Sequence, residues 1–307
     1  MTQAPSHFEQ SRIVARYNRI YHLEPGVVSY SHVIRHWDLE RRLTSELLGT
    51  TKQNRWDVFE RCYTELYTDL DWLNRSEDEA PSETLDQWKY LISSGSKVFE
   101  IGSGKAVLLK YLRANGCDCV ATEITRERGS HHAGAADGLE WHSTDGIHLA
   151  QFEQAPRYDV VLSTGVIEHF HPDDIEDHFR NALAILKTGG RYILTTPHRS
   201  SGPHDLSGVF LSDEATCMHL REYTYGELGR ILKAVGYRSV RAVFPPNRIY
   251  RILPLTWESR LYFIYLQFWD WLERTSGIAS RPRLRRRFRK LLKMALVPDN
   301  IWISAFK

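Results

Sequence analysis

Lys97-Val98-Phe99-Glu100-Ile101-Gly102-Ser103-Gly104-Lys105-Ala106 reads as a short buried strand, a glycine turn and the opening of a helix. The two close glycines let the backbone approach a ligand that side chains would hold away. Glu100 sets the chemistry. A loop built for pyrophosphate has no use for a carboxylate at its base, whereas a loop that receives an ammonium group does. Two phosphate patterns fail on the same residues. A G-x-G-x-x-G fingerprint that starts at Gly102 meets Val107 in its sixth place. A G-x-x-x-x-G-K-[ST] loop ending at Gly104-Lys105 needs glycine where Phe99 stands and a hydroxyl where Ala106 stands. The turn therefore suits a ligand that carries an amino acid.

The surrounding chain is that of an ordinary globular protein, with 307 residues and 42% hydrophobic content. No apolar run approaches the roughly 20 residues needed to span a bilayer. The stretch with Pro5, Ser6, His7 and Glu9 lacks the apolar segment of a signal peptide. Cys62, Cys117, Cys119 and Cys217 show neither disulfide-scaffold density nor zinc-site spacing, so a reducing cytoplasm is expected. The formal net charge of +2 conceals a local basic element. Arg281, Arg283, Arg285, Arg286, Arg287, Arg289, Lys290 and Lys293 crowd one stretch that contains no acid. Without it the chain would be acidic.

Outward from the glycine turn, strands and helices alternate. Cys119 to Glu123, Leu139 to His142 and Tyr158 to Ser163 read as the next three strands. Asp173 or Asp174 caps a helix that reaches Leu186, and Gly189-Gly190 ends it. Arg191 to Thr196 is a fifth strand stopped by Pro197, Thr224 caps a helix ending at Gly236, and Tyr237 to Phe244 is a sixth strand. Such alternation implies a parallel sheet covered on both faces by helices. Asn300 to Phe306 alternates as one last strand, placed to hairpin with the sixth although about 50 residues intervene. Residues 8 to 92 read mainly as helices, with Trp56, Phe59, Tyr63, Leu66, Tyr67 and Leu70 at helical spacing and a polar loop from Asn74 to Ser82. The expected units are a helical cap over 1–84, an α/β domain over 85–244 plus 299–307, and a helical insertion over 245–298.

At this point the pattern resembles the class I S-adenosylmethionine-dependent methyltransferases, of the type 11/12 kind. The resemblance covers roughly residues 85 to 244 and 300 to 307. Glu100-Ile101-Gly102-Ser103-Gly104 matches the family's acid-x-Gly-x-Gly loop, with Ala106 replacing a third glycine. Glu123 stands where the family's acid accepts hydrogen bonds from both ribose hydroxyls, and Asp145 in Thr144-Asp145-Gly146 where an aspartate meets the adenine amino group. Tyr158 to Ser163 followed by Val166-Ile167-Glu168-His169, and Leu186 to Arg191, resemble the fourth strand with its following segment and the turn into the fifth. The resemblance implies a Rossmann-like sheet of seven strands, six parallel and one antiparallel at the C-terminus, with helices on both faces. It implies S-adenosylmethionine as cofactor, held by Glu100, Gly102, Ser103, Gly104, Glu123, Asp145 and Ser163, near the switch point between strands one and four.

A hydroxyl acceptor needs a base near neutral pH, and histidine suits that task. His169 and His171 follow strand four and His198 follows strand five, with His204 and His219 further along. His169 ranks first as catalytic residue and His198 second. Val166-Ile167-Glu168-His169 with His219-Leu220-Arg221-Glu222-Tyr223-Thr224 is also similar to the metal-dependent small-RNA 2′-O-methyltransferases, in which two glutamates and two histidines hold magnesium. Glu168, His169 and His219 match three of those positions and Gly165 falls on the fourth, so no metal ligands are assigned.

In the insertion, Leu261, Ile264, Tyr265, Phe268 and Leu272 form one helical face, broadened by Tyr262, Phe263, Trp269 and Trp271. Leu284, Phe288, Leu291, Leu292 and Leu296 form a second, opposed by the arginines and Lys290. The pair suits either an interfacial contact with anionic lipid or packing on the α/β domain. Nucleic acid is not the expected partner, because no RNA module accompanies the basic helix. Tyr17, Tyr21, Tyr30, His32, His36 and Trp37 are candidates to line an acceptor pocket under the cap. The expected activity is O-methylation of a sugar, glycan or lipid-linked hydroxyl at the inner membrane face. A natural-product acceptor, RNA, and a non-catalytic membrane-bound scaffold that binds the cofactor are the rivals.

Overall fold

The computed structural model describes residues 6–74, 85, 88–126, 138–149, 156–244, 258–278 and 282–307. The polar loop from Asn74 lies almost wholly outside the described residues, as does the first part of the insertion, 245–257. Eight strands form one sheet: β1 (Lys97–Ile101), β2 (Asp118–Glu123), β3 (Glu140–Ser143), β4 (Tyr158–Thr164), β5 (Leu186–Pro197), β6 (Ser239–Val243), β7 (Glu258–Ser259) and β8 (Asn300–Phe306). Their spatial order is β3-β2-β1-β4-β5-β8-β6-β7. The first five run parallel, and β8 inserts antiparallel between β5 and β6. The sheet therefore has the Rossmann-like plan expected, with one strand more than seven. The extra strand is the two-residue β7, antiparallel to β6 at its edge. It is too short for sequence alternation to show. The last strand does not merely hairpin with β6; it pairs with β5 along its whole length as well.

Helices α1 (His7–Ile20), α2 (Tyr30–Leu48) and α3 (Arg55–Asp69) precede the sheet, and the short α4 (Trp88–Leu91) leads into it. The crossover helices are α5 (Val107–Ala114), α6 (Ile175–Ile185) and α7 (Tyr225–Val235); α8 (Arg260–Thr275) and α9 (Pro282–Met294) come before β8. Their ends follow the local chemistry. Thr224 and Glu227 form a reciprocal capping box on α7, and Gly236 at φ +118° ends it. The sheet core packs Phe99, Val161, Tyr192, Leu194 and Ile303 against α6, α7 and α8. A second core joins α1, α2 and α3 to the loop after β5 through Leu43, Phe59, Leu66, Leu206, Val209 and Met218. The buried ion pair Arg55–Asp174 ties the same helices to the segment before α6. The helices at the N-terminus thus sit over the carboxyl ends of β4 and β5.

In the insertion, where the sequence left lipid contact and packing both open, the apolar residues divide between buried and exposed faces. α8 buries Phe263, Leu266, Asp270 and Glu273, while Leu261, Ile264, Tyr265, Phe268 and Trp271 are exposed. α9 buries Phe288 and Leu292 and exposes Leu284, Leu291 and Met294. The reason lies in the partner. His198 and Ser200 are buried beneath α8 and require acceptors, which Asp270 and Glu273 supply.

Candidate active site

The strand ends β1, β2 and β4 open into a cavity of 580 Å³ lined by Glu100 to Lys105, Glu123, Ile124, Thr144 to Gly146 and Thr164 to Val166. It lies where the sheet order reverses, between β1 and β4. The glycine turn is built for close approach. Gly102, at φ +66°, faces Val166, whose Cγ2 would lie 2.6 Å from a Cβ added there. Gly104 and Ala106 also have positive φ, and Ala106 is the residue that precedes α5. Ser103 is tied to β2 by its N–H and its hydroxyl, both donating to the Thr122 carbonyl at 2.8 and 3.0 Å.

Glu100 is 2% exposed and lines this cavity. Thr164 donates to its Oε1 at 3.4 Å, and its Oε2 has no partner among the described residues. Burial pushes its pKa up to about 8, despite the Thr164 hydrogen bond and with a further push from the Glu123 charge. A carboxylate so placed accepts a cationic donor such as an α-ammonium group. Glu123 accepts from the backbone N–H of Gly104 at 3.0 Å and of Ile124 at 2.9 Å, which fixes it at the cavity wall. Asp145 lines the cavity too, but its carboxylate accepts from the N–H groups of Ile147 and His148 and pairs with the His148 ring. Glu100, Gly102, Ser103, Gly104, Glu123 and Asp145 are therefore brought together.

Two expected site residues are not. Ser163 is wholly buried, and its hydroxyl is bonded to Tyr192. On a strand covered on both faces, alternate side chains enter the helix layer, and Ser163 is one of these. His198 is wholly buried as well, with Nε2 bonded to Asp270 at 2.9 Å. It points under α8 and takes no part in the cavity lining.

His169 does line the cavity. Its Nδ1 lies 2.9 Å from the Met218 carbonyl, which only accepts, so Nδ1 carries the proton and Nε2 is the basic nitrogen. Its ring meets Tyr63 and His219 edge-on, with centroids 6.1 and 5.0 Å away. A second cavity of 300 Å³ lies beyond, and Tyr63, Tyr67 and His169 line both. Its other walls include Tyr21, Glu40, His204, Asp205 and His219. Of the aromatic candidates in and beside α1 and α2, Tyr21, which caps the end of α1, lines this cavity. Tyr17 and His36 instead form a buried relay: Trp72 donates to the Tyr17 hydroxyl at 2.8 Å, Tyr17 meets His36 at 2.7 Å, and His36 meets Glu40 at 2.8 Å. Glu40 Oε2 is left buried with no partner among the described residues.

Glu168, His169 and His219 offer ligand atoms that all lie within 4.8 Å of one another. Glu168 accepts from Thr196 at 2.9 Å, and His219 Nδ1 lies 3.0 Å from Glu222 Oε1. Burial opposes the charge on His219, but the Glu222 hydrogen bond and the Glu168 carboxylate prevail and raise its pKa. Burial also raises the pKa of Glu168. Gly165, at φ +65°, adjoins this cluster, and a Cβ there would stand in ordinary contact, 3.5 Å from Glu168 Oε1.

Phe59, Tyr63 and Tyr67, which close the 580 Å³ cavity from α3, were not among the sequence candidates for the site. Their helical spacing marks a buried face, and nothing local distinguishes a face that packs from one that roofs a cavity.

No curated protein matches the chain. Among solved structures, an S-adenosylmethionine-dependent methyltransferase from Archaeoglobus fulgidus shares 15% identity, with 80% of this chain and 99% of the other covered at a TM-score of 0.52. A 1,6-didemethyltoxoflavin-N1-methyltransferase from Burkholderia thailandensis, solved with its acceptor and S-adenosylhomocysteine, shares 14% identity. There 84% of this chain and 91% of the other are covered, at a TM-score of 0.51. At these identities the likeness is one of fold. A family model described as a methyltransferase domain matches residues 73–242, more than half of the chain. That span holds β1 to β5, the glycine turn and His169, and the protein belongs to the methyltransferase-domain family.

Proposed function

We propose that this protein transfers a methyl group from S-adenosylmethionine to a hydroxyl of a sugar unit, on a glycan or a lipid-linked precursor. The observation that carries the reading is His169, set between the cofactor cavity and a small polar cavity of 300 Å³. S-adenosylmethionine brings a methyl group on a sulfonium that is already a strong electrophile. The chain has only to align the acceptor, exclude water and take a proton.

The residues present fit this cofactor. Glu100 Oε2, buried with no partner among the described residues, would receive the α-ammonium group, and Glu123 the ribose hydroxyls. Phe59, Tyr63 and Tyr67 keep water from the transfer path. Glu40 Oε2 accepts a hydroxyl of the acceptor and orients it. With the cofactor bound, Nε2 of His169 would take the hydroxyl proton as the methyl passes to the acceptor oxygen, the sulfur keeping the pair of the bond that breaks.

The exposed face of α8 supports a lipid-linked acceptor. Leu261, Ile264, Tyr265 and Phe268 stand in water at helical spacing, and Arg287, Lys290 and Lys293 are exposed on the neighbouring α9. Cations beside an apolar stripe suit the surface of an anionic bilayer. Among the described residues no helix is long and apolar enough to cross a membrane.

A second reading has Glu168, His169 and His219 hold a divalent cation, favoured by the convergence of their ligand atoms within 4.8 Å. In that arrangement Glu222 and the Met218 carbonyl orient the two rings, as partners of metal-bound histidines do.

One assay decides between them. Labelled methyl transfer to a panel of glycan acceptors is measured for the parent and for His169→Gln, with and without a chelator. The base reading predicts a kcat loss of about 10²–10⁴-fold in the variant, unchanged S-adenosylhomocysteine affinity and no chelator effect. Loss of activity on chelation, restored by added metal, selects the second reading. Parent-like turnover by His169→Gln overturns both.

A further inference from the structure

A third cavity, of 730 Å³, lies between the segment around residues 199–227 and helices α8 and α9. His219 lines it as well as the acceptor cavity, so the two meet at that ring. Its charges are unevenly satisfied. Glu222 accepts from His219 and from the backbone of His204, and Glu227 pairs with Arg199 and Arg221 at 2.9 and 3.4 Å. Asp270 accepts from the Gly226 N–H and meets His198, and Glu273 accepts from Ser200.

The guanidinium groups fare differently. Arg285 is 8% exposed and lines the cavity, yet among the described residues it donates only to the carbonyls of Asp213 and Arg199, at 2.5 and 3.5 Å. Its Nε has no partner among the described residues. Arg230 and Arg274, also in the lining, have no carboxylate within ion-pair distance among the described residues. The acids left over, Asp213 and Glu214, are exposed. A buried guanidinium without an anion is costly, and a ligand anion removes that cost. Beside these cations Trp271, half exposed, offers an aromatic face of the kind on which a sugar ring rests.

We propose that this cavity is an acceptor subsite that binds an anionic group, a carboxylate or a phosphate, on an extended saccharide. The unit to be methylated then lies at His169 and the charged unit at Arg285, with His219 between them. The link to methyl transfer rests on the reading of the acceptor cavity given above; the anion site itself does not.

The test is calorimetry on the whole protein with trigalacturonate, glucose 6-phosphate and neutral maltotriose. At least one anionic probe is expected to bind saturably, at least about tenfold tighter than maltotriose, and to weaken as salt rises. Arg285→Gln should loosen it by about tenfold or more while S-adenosylhomocysteine binding stays at the parent value. If Arg285→Gln does not fold, Arg274→Gln, on the exposed rim, carries the same expectation. Binding of trigalacturonate alone identifies a uronate, and of glucose 6-phosphate alone a phosphate. Absence of binding by both anions, equal affinity for maltotriose, or anion affinity unmoved by Arg274→Gln and by any folded Arg285→Gln overturns the proposal. Anion binding without methylation of any glycan would leave the site standing and sink the sugar-acceptor reading instead.

Discussion

Glu100 shows how one residue links the cofactor to pH. Its pKa of about 8, against an ordinary 4.5, means that the ligand-free native state holds a proton the unfolded chain has released. Between those values the stability of the ligand-free protein falls as pH rises, and the cost is complete above the native pKa. Glu100→Gln should abolish this slope, so that the variant gains on the parent in thermal melts from pH 5 towards pH 8. An ammonium group beside the carboxylate favours its charged form, so cofactor binding at neutral pH should release protons. Titrations of S-adenosylhomocysteine in buffers of different ionisation enthalpy should show that release in the parent and lose it in Glu100→Gln, with affinity lower by about 10–100-fold. Equal proton release by both proteins would place the ammonium elsewhere. The need for an acid at this position is legible in the sequence; that its second oxygen is buried with no partner among the described residues is visible only once β1, β4 and the turn are assembled.

At the scale of elements, the turn between β1 and α5 is the most sequence-determined part of the protein. Gly102 adopts positive φ and abuts Val166, so Gly102→Ala meets both backbone strain and a clash. We expect it to lower S-adenosylhomocysteine affinity by about tenfold or more, from a strain of about 1–3 kcal/mol. Adding Val166→Ala should recover part of that loss, because it removes the clash and leaves the strain. A double variant no better than Gly102→Ala would show that Val166 yields on its own. Strand and helix limits were legible to within a few residues because capping, glycine stops and alternation are local signals; Thr224, Gly236 and Asn300 to Phe306 are examples. The faces of α8 were not. Apolar residues outnumber polar ones around that helix, and only the groups beneath it decide that Asp270 and Glu273 turn inward.

For the whole molecule, the exposed stripe on α8 makes a prediction about location. The double variant Leu261→Ser with Phe268→Ser should sediment several-fold less with vesicles of anionic lipid, and its melting temperature should hardly change, since both residues are exposed. Neutral vesicles should bind the parent less well than anionic ones, and the difference should shrink in salt. Parent-like sedimentation of the variant would remove the membrane from the account. The small polar cavity is likewise a property of the whole. Tyr63 from α3, His169 after β4 and His219 in the loop before α7 come from distant parts of the chain and meet at one wall.

The sequence by itself determined the α/β alternation, the cofactor turn and the acids that flank it. These depend on backbone conformation and on residues a few positions apart, where glycine, capping side chains and strand alternation act directly. Only the tertiary structure decided that His169 faces the cavity at the strand ends while His198 is buried under α8. It alone brought Glu168, His169 and His219 together and exposed the apolar stripe of α8. In each case a side chain's environment is set by elements far away in the chain. A buried polar group must find its partner wherever packing supplies one, and no local pattern records where that is.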